Sequence, residues 1–320
     1  MFRPVRNHAL TLLVIPMVLA ACGSDTVEDL AEDFEEGVED AMTEVDADAT
    51  SAIAVAGVGF STPESVLHET SSDVYLVSNI NGAPTESDGN GFISRLSPQG
   101  EVLELKWIDG AADGVTLDAP KGMAATEGML WVADIDCVRM FDLGTGEPAG
   151  EACIEGATFL NDLAPHPDGS GVLLTDSGLD ETFAPTGSDA VYHVTSEGYA
   201  AVIEDPEFGA PNGIAATPEG AVLVVTFMSG QVFNVTGMNS KEEILAVEGG
   251  QFDGLEVLGD GRILVSNWAT SCVHLLDTEG NLTCAMPDLE SPADIGFDAE
   301  RGHVLVPLFN ANEVRIIPLG

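Results

Sequence analysis

The chain has 320 residues, 54 of them Asp or Glu against 10 Lys or Arg, for a formal net charge of −44. Phosphate binding needs a positive surface, so nucleic acid is excluded as a partner and direct docking on anionic lipid is disfavoured. The acidity reads as a solubility device suited to a salty medium that screens repulsion, or as a diffuse surface for weakly held divalent cations.

Arg3 and Arg6 open the chain, and residues 9–21 are apolar without a charge. This run is too short to span a bilayer, which takes about 20 residues, and its layout is that of a secretory signal. It ends in Leu19-Ala20-Ala21-Cys22, which resembles a bacterial lipobox. That resemblance implies cleavage before Cys22 and its acylation on both thiol and amine. Several acyl chains anchor a protein far more firmly than one. Gly23 follows the cysteine, where Asp would mark retention at the inner membrane, so the outer membrane facing the periplasm is favoured. Residues 1–21 are therefore expected to be a signal peptide. Residues 22–49 are expected to be the lipidated Cys and a flexible tether, because 12 of the 24 residues from 25 to 48 are Asp or Glu and none is Lys or Arg. Such a run repels itself and stays solvated.

Residues 50–320 are long enough to bury a large core. Cys137, Cys153, Cys272 and Cys284 are an even set, which in an exported chain suggests disulfides. Three pairings are possible, of which Cys137–Cys153 and Cys272–Cys284 are the simplest. No CxxC redox or metal spacing occurs.

Six similar phrases follow one another: PESVLHE from 63, PKGMAAT from 120, LNDLAP from 160, PNGIAA from 211, FDGLEV from 252 and PADIGFD from 292. Each runs into a Gly-, Pro- or acid-rich turn and then a β-branched stretch. No long helical apolar stripe is present, so this is repeated antiparallel chemistry. The second residues are Glu64, Lys121, Asn161, Asn212, Asp253 and Ala293, separated by 57, 40, 51, 41 and 40 positions. Such periods fit propeller blades of about four strands each. The reading is an all-β, six-bladed β-propeller. The wider gaps are assigned to loops near 84 and 178. A strand near 52–58 is expected to pair with 313–318 and close the ring, since an open end would leave unpaired backbone.

The second residues are expected to ring one mouth of the central channel. Glu64, Asn161, Asn212 and Asp253 would present a hard, all-oxygen set suited to one divalent cation, Ca²⁺ first, with Mg²⁺, Mn²⁺ or Zn²⁺ as alternatives. Asn-Gly and Asp-Gly are also common turn pairs. Lys121 would offset the acidic ring, orient an anionic substrate, or form a structural salt bridge. The dispersed histidines make no Ser-His-Asp set, and no GxSxG elbow occurs.

These residues resemble the SMP-30/gluconolactonase/luciferin-regenerating group of six-bladed propellers, over about 60–320. The resemblance implies that Glu64, Asn212 and Asp253 are metal ligands, that Asp253 is also the catalytic residue, and that Asn161-Asp162 line the substrate site. The sugar-binding members carry an Arg where this chain has Phe159, which counts against aldonolactones. The implied function is metal-dependent hydrolysis of a lactone or related ester, with Asp253 taking a proton from water and Lys121 steadying negative charge. The alternative is a non-catalytic envelope propeller that binds a small ligand or protein around a structural cation. The chain is expected to be a monomer, because a closed ring has no free sheet edge.

Overall fold

The computed structural model describes residues 51–320; the expected signal peptide, Cys22 and the expected tether lie outside the described residues. The described residues form 24 strands, numbered β1 to β24 in chain order, and no helix. They make six antiparallel sheets of four strands, one per blade.

The strands take their character from where they sit in a blade. The second strands are dense in β-branched and aliphatic residues, such as β3 (Val74–Asn79), β11 (Val172–Asp176) and β19 (Ile263–Asn267), and are buried along their whole length. A strand covered on both faces needs no polar side, so its sequence does not alternate. The fourth strands, such as β9 (Pro148–Cys153) and β17 (Ser240–Ala246), are mostly exposed. They form the outer rim and carry much of the polar surface.

Six apolar clusters fill the six spaces between neighbouring blades. The cluster between the last and first blades joins Val66, Tyr75 and Val77 to Leu305, Val314 and Ile316. Val55 completes it, from β1 (Ile53–Ala56), which pairs antiparallel with β24 (Glu313–Pro318) through Ile53↔Ile316 and Val55↔Val314. The ring is thus closed by the strand pairing expected from the sequence.

The first strands lie against one another around the axis. In β2 (Pro63–Glu69), β6 (Pro120–Thr126), β10 (Leu160–Pro165), β14 (Pro211–Ala216) and β18 (Phe252–Val257), the pairing register slips between the first and fourth residues. A bulge of this kind re-aims side chains and frees a backbone amide. Three of those amides are taken up by hydroxyls of the second strand: Ser65 N donates to Ser78 Oγ, Asp162 N to Thr175 Oγ1, and Gly254 N to Ser266 Oγ. Thr175 and Ser266 then donate to Asn212 O and Ala293 O of the next blade. Glycine permits this closeness. A Cβ on Gly213 would sit 2.4 Å from Asp253 O, and one on Gly254 would sit 2.3 Å from Ile295 N. The Asn-Gly and Asp-Gly pairs are therefore strand residues at a tight contact, not turns.

Both disulfides tie a third strand to a fourth, Cys137 to Cys153 and Cys272 to Cys284. These are the simple local pairings among the three possible. Each closes a short loop, worth about 3 kcal/mol by chain entropy. Replacing Cys137 and Cys153 together by Ser is expected to lower the melting temperature by roughly 6–12 °C. Thermal denaturation followed by circular dichroism checks this.

Candidate metal and substrate site

Five of the six second residues line one cavity of about 320 Å³: Glu64, Lys121, Asn161, Asn212 and Asp253. Each is the second residue of its first strand, inside the bulge that turns it toward the axis. All five are buried, none more than 5% exposed. The sixth blade differs. Its first strand, β22, is only Gly296–Asp298, and Ala293 precedes it as a buried apolar residue without a donor.

One oxygen on each of four residues has no hydrogen-bond partner: Glu64 Oε2, Asn161 Oδ1, Asn212 Oδ1 and Asp253 Oδ1. A buried acceptor left unpaired is costly, and native proteins carry few. Four around a single cavity fit a hard cation, because all-oxygen sets of carboxylates and amide carbonyls are what Ca²⁺ takes. Among the described residues no three His, Cys, Asp or Glu gather into a metal cluster; the set here is two carboxylates and two amides. Burial pushes Glu64 well above the usual carboxylate range, and the nearby Asp253 pushes it further. Burial and then Asp294 do the same to Asp253. A cation shared by the two would relieve both penalties.

Lys121 donates to Ala119 O at 3.2 Å, and its ammonium lies 4.7 Å from the Phe159 ring centroid. Among the described residues it makes no salt bridge within 4.0 Å, which answers the structural salt-bridge option. Burial brings Lys121 down to about 8, opposed by the fields of Asp134, Glu64 and Asp176. Its one hydrogen bond leaves it donors to spare.

The Asn161-Asp162 pair is divided. Asn161 lines this cavity and donates from Nδ2 to Ser177 Oγ. Asp162 lines instead the second, larger cavity, near 590 Å³, which touches the first strands of five blades and the residues leading into β22. Its carboxylate accepts from Leu163 N and Ile214 N. The expected pair at the substrate site is thus corrected to Asn161 alone, because successive strand side chains diverge.

The rest of the cavity wall is aromatic, and the sequence reading missed it. Phe227, Trp268 and Phe309 each follow directly on a second strand: β15 (Val222–Thr226), β19 and β23 (His303–Leu308). Ile80 does the same after β3. Second strands end where first strands begin, as in Phe252↔Asn267, so these residues face the same mouth. The signal was a repeat-equivalent position, one step past each β-branched run. The two predicted loops contribute as well, Pro84 from the first and Leu179 and Phe183 from the second. No histidine among the described residues lines the cavity.

No protein-family model matches this chain, and no curated protein sequence matches it. Solved structures do. A gluconolactonase from Xanthomonas campestris aligns with a TM-score of 0.63 at 16% identity, over 84% of this chain and 89% of that one. The calcium-binding protein regucalcin from Agrobacterium tumefaciens gives 0.64 at 17%, over 84% and 94%. The chain shares their six-bladed propeller fold. A streptogramin B lyase gives 0.61 at 12%, over 84% and 98%.

Proposed function

We propose that this protein is a divalent-metal-dependent hydrolase of a lactone or related ester. The observation that carries the reading is the set of four buried oxygens without partners, on Glu64, Asn161, Asn212 and Asp253, around one cavity. The gluconolactonase and the calcium-binding regucalcin among its structural neighbours support it.

Glu64, Asn161, Asn212 and Asp253 would hold the cation, Ca²⁺ first, with Mg²⁺, Mn²⁺ or Zn²⁺ as alternatives. When bound, such an ion acts as a Lewis acid on a carbonyl oxygen. The chain supplies the remaining parts. Asp253 takes the proton of the attacking water as its oxygen bonds to the acyl carbon. Lys121 sets positive charge beside the oxygen that becomes negative. The acyl C–O bond then breaks, and the proton held by Asp253 passes to the leaving alkoxide, giving a hydroxy acid from a lactone. The acylated Cys22 and acidic tether would hold this monomeric domain at the bacterial outer membrane, on the periplasmic side.

The test is chelation and add-back on purified protein with a panel of lactones and esters, following acid release. Turnover is expected only with a divalent cation restored. A calcium-loaded protein that hydrolyses nothing on the panel would leave the non-catalytic, ligand-binding propeller in its place.

A further inference from the structure

We infer that the cavity selects an uncharged, apolar substrate, a lactone or ester carrying an alkyl or aryl group, and turns away polyhydroxylated sugar lactones. The chemistry of turnover rests on the hydrolase reading above; the ligand class rests on the cavity walls alone.

The cavity divides into a polar patch and an apolar wall. The polar patch is the five channel residues. Successive blades supply the wall. Trp268 sits between Phe227 and Phe309, with ring centroids 5.7 and 5.4 Å away, making one aromatic arc over three blades. Phe227 also packs against Phe159 and Leu179, and Phe159 meets Phe183 at 6.0 Å. Phe183 is 48% exposed, an apolar ring left at the entrance. Large apolar groups of this kind gain by covering an apolar ligand.

Hydrogen-bonding capacity in the wall is nearly absent. The Ser177 hydroxyl donates to Pro211 O at 2.7 Å and accepts from Asn161 Nδ2 at 3.0 Å, so it is occupied. The remaining polar wall atom is Trp268 Nε1, which meets no partner within 3.5 Å but lies close enough to Asp253 to favour its carboxylate. So few donors, the Lys121 ammonium chief among them, suit a ligand whose few oxygens are gathered in a single ester group. A sugar lactone would bury several hydroxyls against phenyl rings, each stripped of water and given nothing in return. At about 320 Å³ the cavity is at the small end of small-molecule sites, which run from roughly 300 to 1,000 Å³. That suits one ring with one modest substituent.

Two measurements on the purified protein test this. With calcium present, kcat/KM for γ-phenyl-γ-butyrolactone is expected to exceed that for glucono-δ-lactone by about 100-fold or more. Without added metal, the non-hydrolysable lactam 5-phenyl-2-pyrrolidinone is expected to change Trp268 fluorescence saturably. Phe227→Ser should weaken that binding by about 10-fold or more, and Phe309→Ser provides the same test should the first variant fold poorly. Equal or faster turnover of glucono-δ-lactone overturns the inference, as does a folded protein that leaves the lactam unbound at millimolar concentration. Saturable lactam binding without hydrolysis of any ester would sink the hydrolase reading and uphold the apolar ligand.

Discussion

Asp253→Asn is expected to abolish ester turnover, to weaken calcium binding by about two to three orders of magnitude, and yet to make the metal-free protein more stable. The three effects have one origin. Asp253 is 4% exposed, and its Oδ1 has no partner. In the loaded site its charge faces a cation, and removing one member of a buried charged pair costs about 3–5 kcal/mol, with each 1.4 kcal/mol worth tenfold in affinity. Without the cation, the same carboxylate is a buried acid beside Glu64 and Asp294, and an amide of the same shape removes that repulsion. A gain of about 1–2 kcal/mol corresponds to roughly 2–8 °C in melting temperature for a domain of this size. Calorimetric calcium titration and melts in chelator read the two signs separately. Unchanged calcium affinity would show that Asp253 is no ligand. Lower metal-free stability would show that its oxygen has a partner after all.

Val55→Asp is expected to cost as much by a different route. Val55 is 4% exposed and joins β1 to the cluster between the last and first blades. A carboxylate there has no partner, and an uncompensated buried charge costs about 3–5 kcal/mol. Releasing β1 would also leave β24 with an unpaired edge, which invites association with other chains. We expect a melting temperature lower by about 6 °C or more, with oligomers visible by size-exclusion chromatography. Val58→Asp is the control, because Val58 is 36% exposed and should melt like the parent. Equal melts for both variants would mean that ring closure contributes little to stability.

The blade plan was legible because one strand position recurs with the same chemistry. The second residue of each phrase is small, polar or charged at periods near 40, and five of those six do line one cavity. Closure was legible for a general reason, since a ring of sheets cannot leave an edge open. The aromatic wall was harder to read. Phe227, Trp268 and Phe309 each stand alone in sequence, and a single aromatic beside a strand looks like core. They recur 41 residues apart, one step past a second strand, but nothing in that position tells a ring facing the channel from one in the core. Phe183 comes from the long loop between β11 and β12 (Ala190–Thr195), whose path follows no repeat. Asp162 was placed beside Asn161 by the family resemblance alone, whereas strand geometry sends neighbours in opposite directions.

The bulged first strands have a consequence for how the domain matures. The four oxygen donors lie between positions 64 and 253, on four separate blades. No contiguous fragment shorter than that span contains them all, so the proposed cation would have nothing to grip in a shorter piece. Its capture would report that the four blades carrying those oxygens have come together. A version cut open between two other blades and rejoined at its original ends should keep its grip on calcium, whereas any half of the ring, however well its own sheets are formed, should have lost it.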